Sequence, residues 1–336
     1  MHRMERQRNM SMKPKELKDK IRGIIHLVLT HFDENDRLDE KALRKSVNHV
    51  ANALKGEDAV FLTTGSTAEF YALTDQECEK AISIVVDEVA GRFPVIAGTG
   101  RPGTKCTIEM SRFAQQAGAD GVLIVSPYYQ PATKGGLFRH FQAIADSIDI
   151  GIVIYNNPTT TKLWIPPDLM ARLSKIDNIV ADKENTTNAL AYYWMQKAVD
   201  PKDMVIICGI GQLMYPFCAV YGCPGFVTEL ANFAPDIAVS FYKAAQQNDF
   251  HKLTQLADKF APYQEFLSKV AHRRGMLPTV LSPYISSNEL PFYQSVIKSA
   301  MGLIGLPAGP VRGPSENITA EEKEELRNVL KDMGVL

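Results

Sequence analysis

Short apolar runs alternate with amphipathic stretches along the chain from residue 21 to about residue 245. Each run is continuous, which is typical of a parallel strand that is covered on both faces. The stretches between the runs have the length and pattern of helices in βα units. There are eight such runs, at residues 24–29, 59–63, 95–97, 121–125, 151–155, 178–183, 204–208 and 225–229. Eight βα units predict an α/β fold of the (β/α)8 TIM barrel type.

Helix signals fall between and after these runs. Thr74 and Glu77 have the spacing of a capping box, and a proline pair at residues 166–167 is typical of a first helical turn. Helices are predicted to start at Asp39 and Thr74 and to span residues 104–117, 136–147 and 166–173. The strand pattern stops after the eighth run, and four more helices are predicted at residues 235–247, 249–270, 291–302 and 319–333.

These patterns suggest one catalytic unit with two additions. The first 20 residues are basic and polar, so we expect a flexible N-terminal extension at residues 1–20. The barrel is expected at residues 21–245, and a C-terminal helical region packed on the barrel at residues 246–336. No Gly/Ser-rich linker separates the last two parts, so the helical region is interpreted as an extension of the barrel and not as a separate domain.

Composition and charge narrow the range of partners. The chain has 37 basic and 38 acidic residues, a formal charge of -1 and a pI near 6.7, so neither nucleic acid nor an anionic membrane is an expected partner. No apolar run approaches the ~18 residues of a membrane span. The five cysteines form no Cys-x-x-Cys pair, which indicates neither a disulfide framework nor a zinc site. A small-molecule substrate and a cytoplasmic location are therefore expected.

Lys183, which ends the sixth run, is the first candidate for chemistry. Active sites of (β/α)8 barrels lie at the C-terminal ends of the strands. A lysine amine becomes a nucleophile when an apolar, enclosed setting favours its neutral form, as Schiff-base chemistry requires. Taken alone, a lysine at a strand end is more often a solvated cap, so the interpretation depends on the other strand ends.

The ends of the other apolar runs carry groups that could act together with Lys183. Gly65, Ser66 and Thr67 follow the second run, and their N–H groups and hydroxyls could hold a carboxylate; an ordinary N-cap turn is the alternative. Tyr155 ends the fifth run, and Tyr129 follows the fourth. Two tyrosines beside a lysine could form a proton relay, although a single tyrosine there would more often be a packing residue.

Several motifs occur in a fixed order. They are Gly65-Ser-Thr-Ala-Glu-Phe70 with Leu73-Thr74, Ser126-Pro-Tyr-Tyr129, Tyr155-Asn-x-Pro158 and Lys183-Glu184. Through them the chain resembles, over residues 23–312, the dihydrodipicolinate synthase and N-acetylneuraminate lyase family. Members of this family are class I aldolases and lyases on (β/α)8 barrels that form a Schiff base with pyruvate or another 2-oxo acid.

The resemblance implies a role for each matching residue. Lys183 would be the Schiff-base nucleophile, and Tyr155 would move protons to and from the bound substrate. Tyr129 would complete the relay across a subunit contact, which implies a homodimer or a homotetramer. No metal and no organic cofactor would be required. Ser66 and Thr67 would hold the carboxylate of the 2-oxo acid. The full substrate-binding set that we expect for this chain is Gly65, Ser66, Thr67, Thr160, Gly209 and Glu229.

Departures from the family pattern concern the second substrate. Thr160 stands where the synthases carry an arginine that grips a second carboxylate, and a hydroxyl cannot replace that guanidinium. Residues 211–212 are Gly-Gln where the sialic acid lyases have an Asp-Glu pair for sugar hydroxyls. Glu229 stands at a position that is often small or apolar, and we expect it to select the distal part of the substrate; a solvated carboxylate is the alternative. Asp182, beside the lysine, must find a partner or remain an unpaired buried acid.

The function that follows is a lyase that binds a small 2-oxo acid as an imine and catalyses aldol cleavage, condensation or dehydration. A first alternative is a genuine 4-hydroxy-tetrahydrodipicolinate synthase, which joins pyruvate and aspartate semialdehyde. A second is a ligand-binding barrel without turnover. A metal-dependent aldolase is a more distant alternative, since no His, Asp and Glu residues have ligand spacing in the sequence.

Overall fold

A computed structural model describes residues 11–276 and 292–336. Eight parallel strands form a closed barrel in which each strand pairs with the next and β8 pairs with β1. The strands are β1 Gly23–Leu27, β2 Ala59–Thr63, β3 Val95–Gly98, β4 Gly121–Val125, β5 Gly151–Asn156, β6 Ile179–Glu184, β7 Val205–Cys208 and β8 Gly225–Thr228. The (β/α)8 barrel is confirmed, and the eight apolar runs correspond to its eight strands.

The barrel has two apolar layers because side chains of successive strand residues point to opposite faces. Ile25, Leu62 and Val153 belong to the cluster that fills the barrel interior. Their strand neighbours, such as Phe61 and Ile154, belong to a larger cluster between the strands and the surrounding helices. Every strand therefore has two buried faces, which explains why the runs are continuously apolar.

Ten helices lie at the N-terminus and in the βα units of the described chain. They are α1 Pro14–Lys20, α2 Glu40–Ala53, α3 Asp75–Val89, α4 Thr104–Ala117, α5 Lys134–Ala145, α6 Pro158–Thr161, α7 Pro167–Leu173, α8 Ala189–Ala198, α9 Tyr215–Ala219 and α10 Pro235–Gln246. The predicted capping box starts α3: Thr74 Oγ1 accepts a hydrogen bond from the Glu77 N–H, and Glu77 accepts one from the Thr74 N–H.

Three further helices follow the barrel. They are α11 Phe250–Arg273, α12 Tyr293–Leu303 and α13 Ala320–Asp332. Asp249 caps α11 by accepting a hydrogen bond from the Lys252 N–H, and Thr319 caps α13 in a second capping box. Helix α11 packs against α10 and α13. Residue 291, the predicted start of α12, lies outside the described residues.

Helix α1 differs from the flexible extension expected at residues 1–20. Its Leu17 is fully buried at the N-terminal end of the barrel, against the first residues of β4 and β5. A Cβ atom at Gly121 would lie 2.5 Å from Leu17 Cδ2, and one at Gly151 would lie 2.7 Å from it, so the two glycines leave room for the leucine side chain. The expectation for residues 1–10 falls outside the described part of the chain.

Candidate active site

Lys183 and Tyr155 face each other at the C-terminal end of the barrel. They are paired residues in the register of β6 and β5, and Lys183 Nζ lies 3.7 Å from the centroid of the Tyr155 ring. Both side chains are buried, at 4% and 3% exposure, beside the apolar interior cluster. An amine against an aromatic face, shielded from bulk water, can attack a carbonyl with its lone pair when it is neutral.

The phenolic oxygen of Tyr155 is held by a neighbouring amide. Asn157 Nδ2 donates a 2.9 Å hydrogen bond to Tyr155 Oη and a 3.0 Å hydrogen bond to Thr160 Oγ1. Asn157 Oδ1 in turn accepts a 3.3 Å hydrogen bond from the Thr160 N–H at the start of α6. Because Tyr155 Oη accepts from Asn157, its own proton remains available for donation into the barrel mouth.

The connection after β2, residues 65–69, is called the 65–69 loop below. It lines a cavity at the barrel mouth together with Tyr155. Ser66–Ala68 form a 3₁₀ turn that starts at Gly65, so the N–H groups of Ser66 and Thr67 have no acceptor within the turn. The loop ends at Glu69, whose backbone is left-handed with a φ of 57°. The cavity is lined by Thr64, Gly65, Ser66, Phe70, Gly98, Gly100, Leu123, Val125 and Tyr155.

Two acids flank Lys183 on the outer face of β6. Glu184 Oε2 accepts a 2.8 Å hydrogen bond from Asn156 Nδ2, and its Oε1 accepts a 2.9 Å hydrogen bond from the Thr186 N–H. Burial raises the pKa of Glu184 to about 8. Asp182 is fully buried, and within the described part of the chain neither of its carboxyl oxygens has a side-chain hydrogen-bond partner. Burial, followed by the charge of Glu184, raises the pKa of Asp182 well above its ordinary range, and the backbone N–H of Asn156 opposes that rise.

The β7 and β8 ends form the third side of the mouth. Gly209 donates its N–H to Glu184 O at 2.9 Å, and a Cβ atom there would lie 1.9 Å from Asn185 Oδ1, so only glycine fits. Gln212 Oε1 accepts a 2.9 Å hydrogen bond from Thr228 Oγ1. Burial raises the pKa of Glu229, which follows β8 directly, and a hydrogen bond from Gln212 opposes that rise.

Tyr129 is the one candidate catalytic residue that lies apart from the others. It follows β4 and is 83% exposed in the single chain, whereas Lys183 and Tyr155 are buried. Its neighbour Tyr128 is half-buried, with its ring centroid 6.2 Å from that of Phe70 in the cavity wall. The described chain therefore brings together Lys183, Tyr155 and the 65–69 loop without Tyr129.

Sequence reasoning did not identify a contribution from α12. Tyr293 Oη donates a 3.2 Å hydrogen bond to Thr67 Oγ1, Gln294 Nε2 donates one of 3.3 Å to Ser66 O, and Lys298 Nζ pairs with Glu69 Oε1 at 2.5 Å. No motif marks these residues, because they lie more than 200 positions from the loop that they hold. Their only sequence signal is the placement of polar groups on an otherwise apolar helix.

Within residues 11–276 and 292–336, no group of three or more His, Cys, Asp and Glu side chains is arranged to hold a metal ion. None of the helices in these ranges is both long and apolar enough to cross a membrane.

Comparison with known proteins places this barrel in a family. The sequence profile of the Dihydrodipicolinate synthetase family matches residues 20–333. A 4-hydroxy-tetrahydrodipicolinate synthase of Methanothrix thermoacetophila is 33% identical over 315 residues, which are 94% of this chain and 98% of that protein. An uncharacterized DapA-like lyase of Halobacterium salinarum is 30% identical over 317 residues, with 94% and 95% coverage.

Solved structures of the same family have a similar fold. YagE, a prophage protein of the dihydrodipicolinic acid synthase family from E. coli K12 in complex with pyruvate, has a TM-score of 0.81 at 26% identity and covers 94% of this chain and 99% of its own. Dihydrodipicolinate synthase from Aquifex aeolicus has a TM-score of 0.79 at 29% identity, with 94% and 98% coverage.

The fold and the buried lysine and tyrosine define a class, the (β/α)8-barrel lyases of the Schiff-base aldolase type. The chain belongs to the dihydrodipicolinate synthetase family, and the resemblance seen in its motifs is confirmed.

Proposed function

We propose that this lyase forms a Schiff base between Lys183 and the carbonyl carbon of pyruvate or another small 2-oxo acid. The observation that carries the proposal is the placement of Lys183 Nζ, 3.7 Å from the centroid of the Tyr155 ring and buried at the barrel mouth. The 65–69 loop lines the same cavity as Tyr155 and supplies the groups for an anion. A 2-oxo acid has its carbonyl and its carboxylate on adjacent carbons, so one cavity must hold both.

The chemistry follows from these groups. The neutral amine of Lys183 attacks C2 of the oxo acid, and the carbinolamine loses water to give an iminium. The iminium accepts the electron pair released when a proton leaves C3, which gives an enamine. Tyr155 Oη, held by Asn157, supplies the proton that helps hydroxide leave C2 and later exchanges protons with the bound substrate. The enamine carbon then attacks the carbonyl of a second reactant; the same steps in reverse cleave an aldol.

The carboxylate of the oxo acid would lie on the 65–69 loop. The N–H groups of Ser66 and Thr67 start a 3₁₀ turn and can donate to an anion, together with their two hydroxyls. Gly65 lines the cavity without a side chain, so the carboxylate can approach the backbone closely.

Glu229 and Gln212 would bind the distal part of the substrate. Gln212 is oriented by Thr228 and bonds to Glu229, so the two side chains form one hydrogen-bonding group on the β7–β8 side. Thr160 offers no cation for a second carboxylate, because its hydroxyl and N–H bond to Asn157. These contacts favour a distal group with hydroxyl or amine donors.

A 4-hydroxy-tetrahydrodipicolinate synthase remains the second candidate, since relatives such as the Methanothrix thermoacetophila protein carry that name at 33% identity. A coupled assay with pyruvate and aspartate semialdehyde separates the two candidates. Turnover comparable to that with hydroxylated aldehydes would favour the synthase.

The active form is proposed to be a homodimer or homotetramer. Tyr129 is exposed in the single chain, so it could reach a site only across a subunit contact.

A second surface, the α8–α9 patch, consists of apolar side chains that are 44% to 62% exposed: Leu190, Trp194, Phe217, Val220 and Tyr221. The rings of Tyr193 and Tyr221 lie 5.0 Å apart, so the patch is continuous between α8 and α9. Light scattering should give two or four copies, and Phe217→Asp should lower that number; a monomeric wild type would contradict the proposal.

We also propose a cytoplasmic location. The five cysteines are free, and four of them are buried thiols, which suits a reducing compartment. Cell fractionation of the tagged protein would test this, and recovery from an oxidising compartment would contradict it.

The experiment that tests the imine chemistry needs no second reactant. In D2O, the enzyme should replace the C3 protons of pyruvate with deuterium, which NMR detects, because each enamine that forms is reprotonated by solvent-derived protons. Lys183→Met, which removes the amine and keeps the length of the side chain, should abolish the exchange. Exchange at the wild-type rate in that variant would exclude an imine on Lys183.

A further inference from the structure

The 65–69 loop is held by α12 through three side chains. Tyr293, Gln294 and Lys298 are 5%, 2% and 1% exposed, and each bonds to a different loop residue: Thr67, Ser66 and Glu69 respectively. Helical spacing places Gln294 and Lys298, four positions apart, on one face of α12, and Tyr293 directly precedes Gln294. The position of the carboxylate pocket thus depends on a helix outside the barrel.

The Glu69 carboxylate is the fixed point of this attachment. Lys298 Nζ bonds to Glu69 Oε1 and donates a 2.8 Å hydrogen bond to Pro310 O, while the Arg312 N–H donates a 2.8 Å hydrogen bond to Glu69 Oε2. Both carboxylate oxygens therefore have partners from the C-terminal region, as a fully buried charge requires. The end of the loop cannot shift without breaking this set.

The contact of Tyr293 differs from the other two because it reaches a side-chain hydroxyl, that of Thr67, which directly follows Ser66 in the cavity wall. A threonine hydroxyl has one proton and two lone pairs. Since Thr67 Oγ1 accepts the 3.2 Å hydrogen bond from Tyr293 Oη, its own proton is free for another acceptor. Burial raises the pKa of Tyr293 well above its ordinary value, against the opposing effect of the Thr67 hydrogen bond, so the phenol keeps the proton that it donates.

We propose that Tyr293 is a positioning residue of the carboxylate pocket: by donating to Thr67 Oγ1, it directs the Thr67 hydroxyl proton to the carboxylate of the 2-oxo acid. This inference rests on the proposed function, because it assumes that an oxo acid carboxylate occupies the loop. It adds a residue from α12 to a pocket that otherwise consists of βα connections.

The test is Tyr293→Phe, which removes one oxygen and keeps the ring. Without the hydrogen bond from Tyr293, the Thr67 hydroxyl would no longer be directed to the substrate carboxylate. KM for pyruvate should therefore rise about five- to tenfold, while kcat for C3 exchange should stay within about twofold of the wild type. Tyr192→Phe is the matched control. Tyr192 is also buried and donates one hydrogen bond, of 3.0 Å to Ile206 O, but it lies on α8 outside the barrel. Its KM should equal that of the wild type.

A double-mutant cycle separates positioning from general loosening of the structure. In a Thr67→Val background the acceptor is gone, so adding Tyr293→Phe should leave KM unchanged. Additive effects of the two substitutions would overturn the proposal. So would an unchanged KM for Tyr293→Phe in a wild type that catalyses C3 exchange. A wild type that exchanges no oxo acid would instead overturn the proposed function itself.

Comparing the exchange rates of two substrates makes the result independent of partial unfolding of the variant. The exchange rate of pyruvate relative to that of its uncharged amide does not depend on the amount of folded enzyme. Tyr293→Phe should lower this ratio about fivefold or more, since only pyruvate has the carboxylate that Thr67 would bind. An unchanged ratio would show that Tyr293 does not act on the carboxylate.

Discussion

Asp182 and Lys183 are consecutive residues of β6 that point to opposite sides of the barrel wall. Lys183 enters the mouth beside Tyr155, whereas Asp182 lies in register with Ile154 and Ile206, two members of the outer apolar cluster. The strand therefore places the amine of Lys183 and a buried carboxyl group back to back. The amine belongs to the proposed chemistry, and among the described residues the carboxyl oxygens have no side-chain partner.

Replacing Asp182 with an apolar residue should stabilise the protein. Asp182→Val removes a buried carboxyl whose oxygens have no side-chain partner among the described residues, and it adds a β-branched side chain that suits a strand. We expect a gain of about 1–3 kcal/mol in the free energy of unfolding, measured by urea denaturation. Asp182→Asn, which keeps a polar group at the same site, should give a smaller gain. A loss of stability in the valine variant would reveal a role for Asp182 that the structure does not show.

Stability should also depend on pH through Glu184. Its pKa is about 8 in the folded protein and near 4.5 when solvated, so folding binds a proton that the unfolded chain releases between these values. The contribution of Glu184 to the free energy of unfolding is therefore unaffected below about pH 4.5, falls as the pH rises towards 8, and is lowest above that.

Glu184→Gln tests this linkage because the amide has the same shape and no proton to lose. The fall in stability between pH 5 and 8 should be smaller in the variant than in the wild type by more than about 1 kcal/mol. Asp182→Val serves as the background in which to repeat the measurement, since it removes the coupled acid. Parallel pH profiles for the two proteins would mean that Glu184 is ionised in the folded state.

The orientation of Tyr155 should depend on Asn157. Asn157→Leu keeps the size of the side chain but removes the hydrogen bond to Tyr155 Oη, so the phenol loses its fixed direction. The rate of C3 exchange at saturating pyruvate should fall about tenfold or more, while the borohydride-reduced adduct still forms. Thr160→Val removes only the outer partner of the amide and should have an effect of about twofold or less. Equal effects of both substitutions would assign Asn157 a role in the stability of α6 instead.

Glu229 should act on the second reactant only. Glu229→Gln should leave C3 exchange of pyruvate within about twofold of the wild type and should raise KM for the preferred aldehyde about tenfold. The reason is that Glu229 bonds to Gln212 on the β7–β8 side, whereas the proposed carboxylate site follows β2. Unchanged kinetics in the complete reaction would remove Glu229 from the substrate-binding set.

The apolar runs predicted the strands well because both faces of each strand are buried. Residues 59–63 and 121–125 match β2 and β4 at both ends, and the other runs differ from their strands by one or two residues at one or both ends. Helix α8 was not predicted. Its Leu190 and Trp194 are more than half exposed, so the segment lacks the polar face by which a helix on a barrel is recognised.

Only the part of the site that lies at strand ends could be predicted from the sequence. Strand ends identified Lys183 and Tyr155, because the position of a residue in a barrel strand determines whether it reaches the mouth. The support from Tyr293 and Lys298 depends on how α12 packs against the barrel, and no local pattern reports that packing. The same holds for Leu17, whose burial under the barrel required the positions of Gly121 and Gly151 in space.

The most direct test of the account is to trap the imine. The wild-type enzyme should be incubated with pyruvate and borohydride, digested, and analysed by peptide mass spectrometry, with Tyr155→Phe as a variant that keeps the amine. The account predicts a single reduced adduct, on Lys183, in both proteins, and none without pyruvate. An adduct on another lysine, or no adduct from folded protein with any of several 2-oxo acids, would contradict the claim that Lys183 is the nucleophile.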